Sequence, residues 1–126
     1  MSDIVFCEDD PSIRKLIAAA TRGSPHAIHM ASDGADGLAL IERIRPDAIF
    51  ADVAMPVMTG LELAERLRAS ADLRSIPFVF MTASVQRDEL EKYGEITSFP
   101  ILTKPFTIGE LRLAVADVLG EAVHGG

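Results

Sequence analysis

The chain has 126 residues, 48% apolar and 25% charged, with a net charge of −7 and one cysteine. That length suits one domain with a real core, and the acidic balance argues against direct nucleic acid binding, which needs a Lys/Arg surface to displace counterions from phosphates. No apolar run approaches the roughly 18 residues of a membrane span, Met1-Ser2-Asp3-Ile4 lacks the basic start of a signal peptide and Cys7 has no disulfide partner, so a cytoplasmic protein with no membrane partner is expected.

Ile4-Val5-Phe6-Cys7 reads as a short buried strand that ends at Glu8-Asp9-Asp10-Pro11. Asp10 can cap the next helix and Pro11 can take its first position, where a missing N–H costs nothing. Ile13, Leu16, Ile17 and Ala20 then repeat as one helical face. Gly23-Ser24-Pro25 closes that unit, Ala27 to Ala31 is a second strand, and Ser32-Asp33-Gly34 opens a helix carrying Leu38, Ile41 and Ile44 that stops before Pro46.

Ala48-Ile49-Phe50-Ala51 is a buried run that reaches one carboxylate, Asp52, before the chain breaks at Pro56 and Gly60. Thr59 and Glu62 form a capping box, with Leu63, Ala64 and Leu67 at helical spacing behind it. A polar linker, Ser70 to Ser75, leads to a fourth strand, Pro77 to Met81, with Thr82 just after it. Ser84 begins a weakly amphipathic helix with Val85, Leu90 and Tyr93, expected to be the most mobile one. Ile101-Leu102-Thr103 is a short fifth strand before Lys104-Pro105-Phe106, and Thr107 and Glu110 cap a last helix through Leu111, Ala114, Val115, Val118 and Leu119 to Gly120.

Strands alternating with helices five times predict an α/β fold: a doubly wound, five-stranded parallel sheet, order 2-1-3-4-5, in a flavodoxin-like (βα)5 three-layer sandwich. Residues 1–121 form the single domain and 122–126 a frayed tail. This order puts the crevice between strands one and three, so Glu8, Asp9 and Asp52 are expected to meet across it. Three close carboxylates raise the pKa of at least one or recruit a cation. Oxygen ligands with room for water suit Mg²⁺, which would let Asp52 act as a nucleophile towards a phosphoryl group. Lys104 can offset phosphoryl charge and Thr82 can donate a hydroxyl. Each residue alone has a plain reading: Asp52 a turn opener, Thr82 a strand-end residue bonding to backbone, Lys104 a solvated turn lysine. His26 and His29 are expected at the surface, Met55, Met58 and Met81 at the crevice rim, and Cys7, with no basic neighbour, is not expected to be catalytic.

Glu8-Asp9, Asp52 with Met55-Pro56 and Gly60, Thr82-Ala83 and Lys104-Pro105-Phe106 occur in one order, with 43, 30 and 22 residues separating Asp9, Asp52, Thr82 and Lys104. In that set the chain resembles the CheY-like receiver domain of response regulators in two-component systems, from Ile4 to about Leu119. The resemblance implies a phosphoacceptor regulator that assists its own phosphorylation and dephosphorylation and is not otherwise an enzyme. Asp52 would take a phosphoryl group from a histidine kinase or histidine phosphotransfer protein. Asp9 and Asp52 would bind Mg²⁺ directly, with the backbone carbonyl of Ala54 as third protein ligand and Glu8 acting through water. Lys104 would contact the phosphoryl group, and Thr82 would move towards it and switch the surface around the last helices, where a downstream protein binds.

Pro56, Gly60 and Pro105 are turn residues in this picture, with a cis Lys104–Pro105 bond, and dimerisation through the last strand and helix is a family habit. Two departures fall on the output face. Ile101 stands where the family's switch commonly has an aromatic residue, and Pro100 removes a ladder donor from the fifth strand. Ala54 and Ser84, small groups flanking the site, imply an acyl phosphate of limited lifetime. A module that binds its partner without phosphorylation is the main competing reading. A haloacid-dehalogenase-type phosphatase would need a carboxylate where Ala54 stands, and a flavodoxin-like cofactor binder would need a first loop without the Glu8-Asp9-Asp10 charge.

Overall fold

The computed structural model describes residues 2–83 and 99–121. In chain order the elements are β1 (Asp3–Cys7), α1 (Pro11–Thr21), β2 (Ala27–Ala31), α2 (Gly34–Ile44), β3 (Ala48–Asp52), α3 (Gly60–Arg68), β4 (Phe78–Ala83), β5 (Ile101–Lys104) and α4 (Ile108–Val118). All five strands pair in parallel in the order β2-β1-β3-β4-β5, as the alternating pattern predicts. The helix expected from Ser84 and the tail beyond 121 lie outside the described residues.

Local chemistry sets the helix boundaries. The Asp10 carboxylate accepts from Ser12 N–H at 2.8 Å with Pro11 in the first turn, and Asp33 Oδ1 accepts from Asp36 N–H at 2.8 Å. Both capping boxes form: Thr59 with Glu62 at 3.2 and 3.3 Å, and Thr107 with Glu110 at 3.0 and 2.9 Å. Each such cap contributes about 1 kcal/mol to a helix that is short on its own. α2 ends with Arg45 at φ 52 ahead of Pro46, and Gly120 at φ 68 follows α4.

Strand alternation sorts the core into two layers. Val5, Cys7, Ile49, Ala51, Phe78 and Phe80 face α2 and α3 with Ile41, Leu63 and Leu67. Ile4, Phe6, Ala48, Phe50, Val79 and Met81 face α1 and α4 with Ile17, Leu111 and Val115. Phe6 and Phe50 stack at 4.9 Å across β1 and β3. At roughly 1.5–3 kcal/mol per fully buried apolar side chain, this two-sided burial is what holds the sheet in register.

Four sequence expectations need correction. β4 runs on to Ala83, so Thr82 lies inside the strand and is fully buried. The linker from Ser70 to Ser75 is polar except for Ala71 and Leu73, and Leu73 is buried in the α2/α3 layer. Met81 belongs to the α1/α4 layer and Met55 to the other, so they are core residues; Met58 packs partly against the α2/α3 layer. His26 is not a surface residue: its side chain is 8% exposed, its Nδ1 accepts from Ser2 N–H at 3.1 Å, and its Nε2 lies 2.6 Å from Glu121. Registers across three chain segments create that environment, and spacing within one segment does not carry it. His29 is partly exposed and pairs with Asp3 at 3.1 Å.

Candidate functional site at the carboxyl edge of the sheet

Cys7 lies beside Ala51 and Asp52 beside Met81 in the ladders, so Glu8 and Asp52 leave β1 and β3 at the same height. By alternation both continue the side of the sheet facing α1 and α4, and Lys104, two residues beyond Leu102, does the same from β5. The Lys104 ammonium sits 2.6 Å from Glu8 Oε1 and 2.7 Å from Asp52 Oδ2. Asp9 points outward and is exposed, yet Glu8, Asp9 and Asp52 each offer an oxygen within 4.8 Å of the others.

The loops around these groups are fixed by their own backbone. Asp52 Oδ1 accepts from Ala54 N–H at 3.2 Å, and Glu8 Oε2 accepts from Asp10 N–H at 3.1 Å. Arg14 donates from one guanidinium nitrogen to the carbonyls of Glu8 and Asp9, at 3.1 and 3.0 Å. Nothing in the apolar spacing of α1 signals this grip; its position one helical turn beyond Asp10 is the only clue in the sequence. Gly60 donates to the Val53 carbonyl at 2.9 Å, and a Cβ at Gly60 would lie 2.1 Å from the Asp52 carbonyl oxygen. Only glycine lets α3 start this close to the end of β3, which accounts for the turn expected there. The Lys104–Pro105 bond is cis, as expected.

Electrostatics follow from burial. Glu8 is fully buried, and burial pushes its carboxyl up to about 7, against the lowering influence of Lys104 and the Asp10 N–H and with the repulsion of Asp52 adding to it. Burial works against the Lys104 charge, but its bonds to Asp52 and Glu8 outweigh that and hold the ammonium above its ordinary value. Glu8 Oε1 is buried and makes no well-directed hydrogen bond among the described residues, only the ion pair with Lys104. One ammonium therefore bridges two of three clustered carboxylates, which leaves an excess of negative charge with an under-satisfied oxygen, and that donor set fits a hard divalent cation. Cys7 lies outside this chemistry: burial pushes its thiol up to about 12.

The Thr82 hydroxyl donates to the Ala83 carbonyl at 3.2 Å, and by alternation Thr82 continues the Phe78–Phe80 side of β4, facing α2 and α3. Ile101 packs on the same side. Phe99, just before β5, lies 5.7 and 5.8 Å from the Phe78 and Phe80 rings and 5.9 Å beneath the Arg68 guanidinium, so the aromatic group of this face precedes Ile101 by two residues.

A doubly wound parallel sheet with buried, lysine-bridged carboxylates at its carboxyl edge defines a class: open α/β proteins whose charged groups gather where such sheets bind their ligands. Residues 4–116 match the response regulator receiver domain, and the chain belongs to that family. The chemotaxis response regulator CheY4 of Vibrio cholerae superposes with a TM-score of 0.85 at 27% identity, over 94% of this chain and 99% of its own. The receiver domain of a sensor histidine kinase from Pseudomonas aeruginosa, solved with a magnesium ion in its active-site cleft, gives a TM-score of 0.82 at 27% identity, over 95% and 98% of the two chains. A protein-glutamate methylesterase/protein-glutamine glutaminase of Anaeromyxobacter dehalogenans is 40% identical over 57 residues, which are 44% of this chain and 17% of that protein. This chain thus spans a small part of the curated relative it matches. Receiver domains are signalling regulators that interact with histidine kinases and downstream targets and bind Mg²⁺ at an acidic site. Among the described residues no helix is long and apolar enough to cross a membrane.

Proposed function

We propose that Asp52 is the phosphoacceptor of a cytoplasmic signalling receiver spanning residues 1–121. The observation that carries this reading is the buried Asp52 carboxylate held 2.7 Å from Lys104 and beside Glu8 and Asp9. A carboxylate oxygen of Asp52 attacks the phosphorus of a phosphohistidine; the new P–O bond forms as the P–N bond breaks, and the imidazole leaves with the electron pair. Lys104 shifts its ammonium from Asp52 Oδ2 onto the arriving phosphoryl oxygens. Glu8, Asp9, Asp52 and the carbonyl of Ala54 are the groups that would hold Mg²⁺, which when bound offsets phosphoryl charge beside the carboxylate.

Thr82 then gives up the Ala83 carbonyl and donates to the phosphoryl group, which biases two arrangements of the β4–β5 surface, including Ile101, for a downstream protein. Moving such an equilibrium from mostly one state to mostly the other takes several kcal/mol of differential interaction, within reach of charge-assisted bonds to a phosphoryl group.

Acetyl phosphate with Mg²⁺, read by intact mass, is expected to add one phosphoryl group to the wild-type chain and none to Asp52→Asn. No gain in the wild type, or an equal gain in the variant, overturns the assignment, and the former favours a module that works without phosphorylation. Metal binding is checked apart from turnover: Mg²⁺ alone is expected to raise the thermal midpoint of the wild type and not of Asp9→Asn.

A further inference from the structure

Of the three clustered acids, two are held by bonds of their own side chains. Glu8 pairs with Lys104 and accepts from Asp10 N–H, and Asp52 pairs with Lys104 and accepts from Ala54 N–H. Asp9 is different. Its exposed carboxylate makes no hydrogen bond or ion pair among the described residues, yet one of its oxygens lies within 4.8 Å of those of the other two. The direction of Asp9 is therefore set by the main chain that carries it.

That main chain is fixed at both ends and in the middle. Glu8 N–H donates to the Ala31 carbonyl at 2.9 Å, which anchors the approach from β1, and Arg14 N–H donates to the Asp10 carbonyl at 3.0 Å, which anchors the departure into α1. Between these anchors one guanidinium nitrogen of Arg14 donates to the carbonyls of Glu8 and Asp9, at 3.1 and 3.0 Å. Those carbonyls belong to the two peptide planes on either side of the Asp9 Cα. A residue has only two soft backbone angles, so a donor that holds both planes fixes the direction in which the Asp9 side chain leaves the chain.

Charge pairing does not account for this placement. Glu8, Asp9 and Asp10 all lie in the same loop, but among the described residues the Arg14 guanidinium bonds to carbonyls and pairs with no carboxylate. A cation beside the acids repels a divalent ion, so through space Arg14 opposes the metal. Through the backbone it favours the metal, because less remains to be ordered when the ion arrives. We infer that Arg14 is a positioning residue for metal binding, which aims the Asp9 carboxylate at Glu8 and Asp52 before the ion binds; this rests on the proposal that these acids hold Mg²⁺.

The two effects differ in sign, so Mg²⁺ alone, titrated by calorimetry into the full chain, separates them. Arg14→Met keeps an apolar stem and removes the donors, and is expected to bind Mg²⁺ about tenfold more weakly, as when a group that supports a metal ligand is lost. Lys15, the exposed next residue, makes no hydrogen bond or ion pair among the described residues. Lys15→Met removes a charge from the same turn and is expected to bind Mg²⁺ as tightly as the wild type or more tightly. Arg14→Lys, which keeps the charge on a flexible stem without the planar fork, is expected to fall between the wild type and Arg14→Met. With acetyl phosphate, Arg14→Met is expected to need about tenfold more Mg²⁺ for half-maximal labelling and to reach the wild-type rate at saturation. An unchanged or tighter Kd in Arg14→Met overturns the positioning role, as does an equal weakening in Lys15→Met or a labelling rate that saturating Mg²⁺ does not restore. Should Arg14→Met fail to fold, Arg14→Lys decides, and a wild-type Kd in it overturns the role. If the wild type and the Arg14 variants bind Mg²⁺ equally, the positioning role falls and the metal site stands; if the wild type does not bind it, both fall.

Discussion

The two edges of this sheet carry the same kinds of ion pair in opposite circumstances. At the amino edge Arg45 and Asp72 meet at 3.5 Å with side chains 64% and 68% exposed. At the carboxyl edge Lys104 bridges Glu8 and Asp52 at 2.6 and 2.7 Å, and Glu8 is wholly out of water. Water and salt screen the first pair, so it adds little. In the second, each partner has lost hydration that the others, with the N–H groups of Asp10 and Ala54, replace, and removing one leaves an uncompensated buried charge. Charge is therefore of little consequence at one edge, whereas at the other its pairing decides whether it can be kept.

The sharpest way to test this contrast is Asp52→Asn, which keeps the shape and removes the charge: labelling by acetyl phosphate is expected to vanish, while the far-UV spectrum stays that of the wild type. Next in size is Lys104→Ala. With Glu8 and Asp52 left facing each other, urea denaturation is expected to show a loss of about 3 kcal/mol, larger at pH 8 than at pH 5.

The Glu8 carboxyl, held at about 7 in the folded protein against an ordinary 4.5, gives a pH signature of definite sign. Between those values the unfolded chain has released a proton that the folded protein keeps, so this group lowers stability as pH rises, and the loss is complete above about 7. Urea titrations of the metal-free protein are expected to show this decline, up to about 3 kcal/mol, and Glu8→Gln to flatten it. Arg45→Ala completes the comparison: a change below about 0.5 kcal/mol is expected, and a loss matching that of Lys104→Ala would break the contrast between the edges.

The features legible in the sequence are those that depend on neighbours along the chain. Asp10, Thr59 and Thr107 cap their helices because capping needs only a side-chain oxygen two or three residues from an N–H. Asp52 was findable because an apolar run ending in one carboxylate and a proline marks the end of a buried parallel strand. Lys104 was findable as a cation closing the last strand before a proline, although its direct bond to Asp52, reached across β4, was not. What escaped depends on register between distant segments. Thr82 looks like a residue after a strand, but β5 pairs with β4 as far as Ala83 and draws it inside. His26 looks solvated until Ser2 and Glu121 arrive from the two ends of the described chain. Val57 adopts left-handed backbone, at φ 67, which is invisible because its residue type argues against it.

The pleat of the sheet acts as a partition. By alternation Glu8, Asp52 and Lys104 occupy one side of it, whereas Thr82 and Ile101 occupy the other, with β3 and most of β4 buried between the two layers. In the function proposed above, a message from the carboxylates to the opposite face goes over the crest, by main-chain adjustment at the strand tips, and both packed layers stay intact while it does.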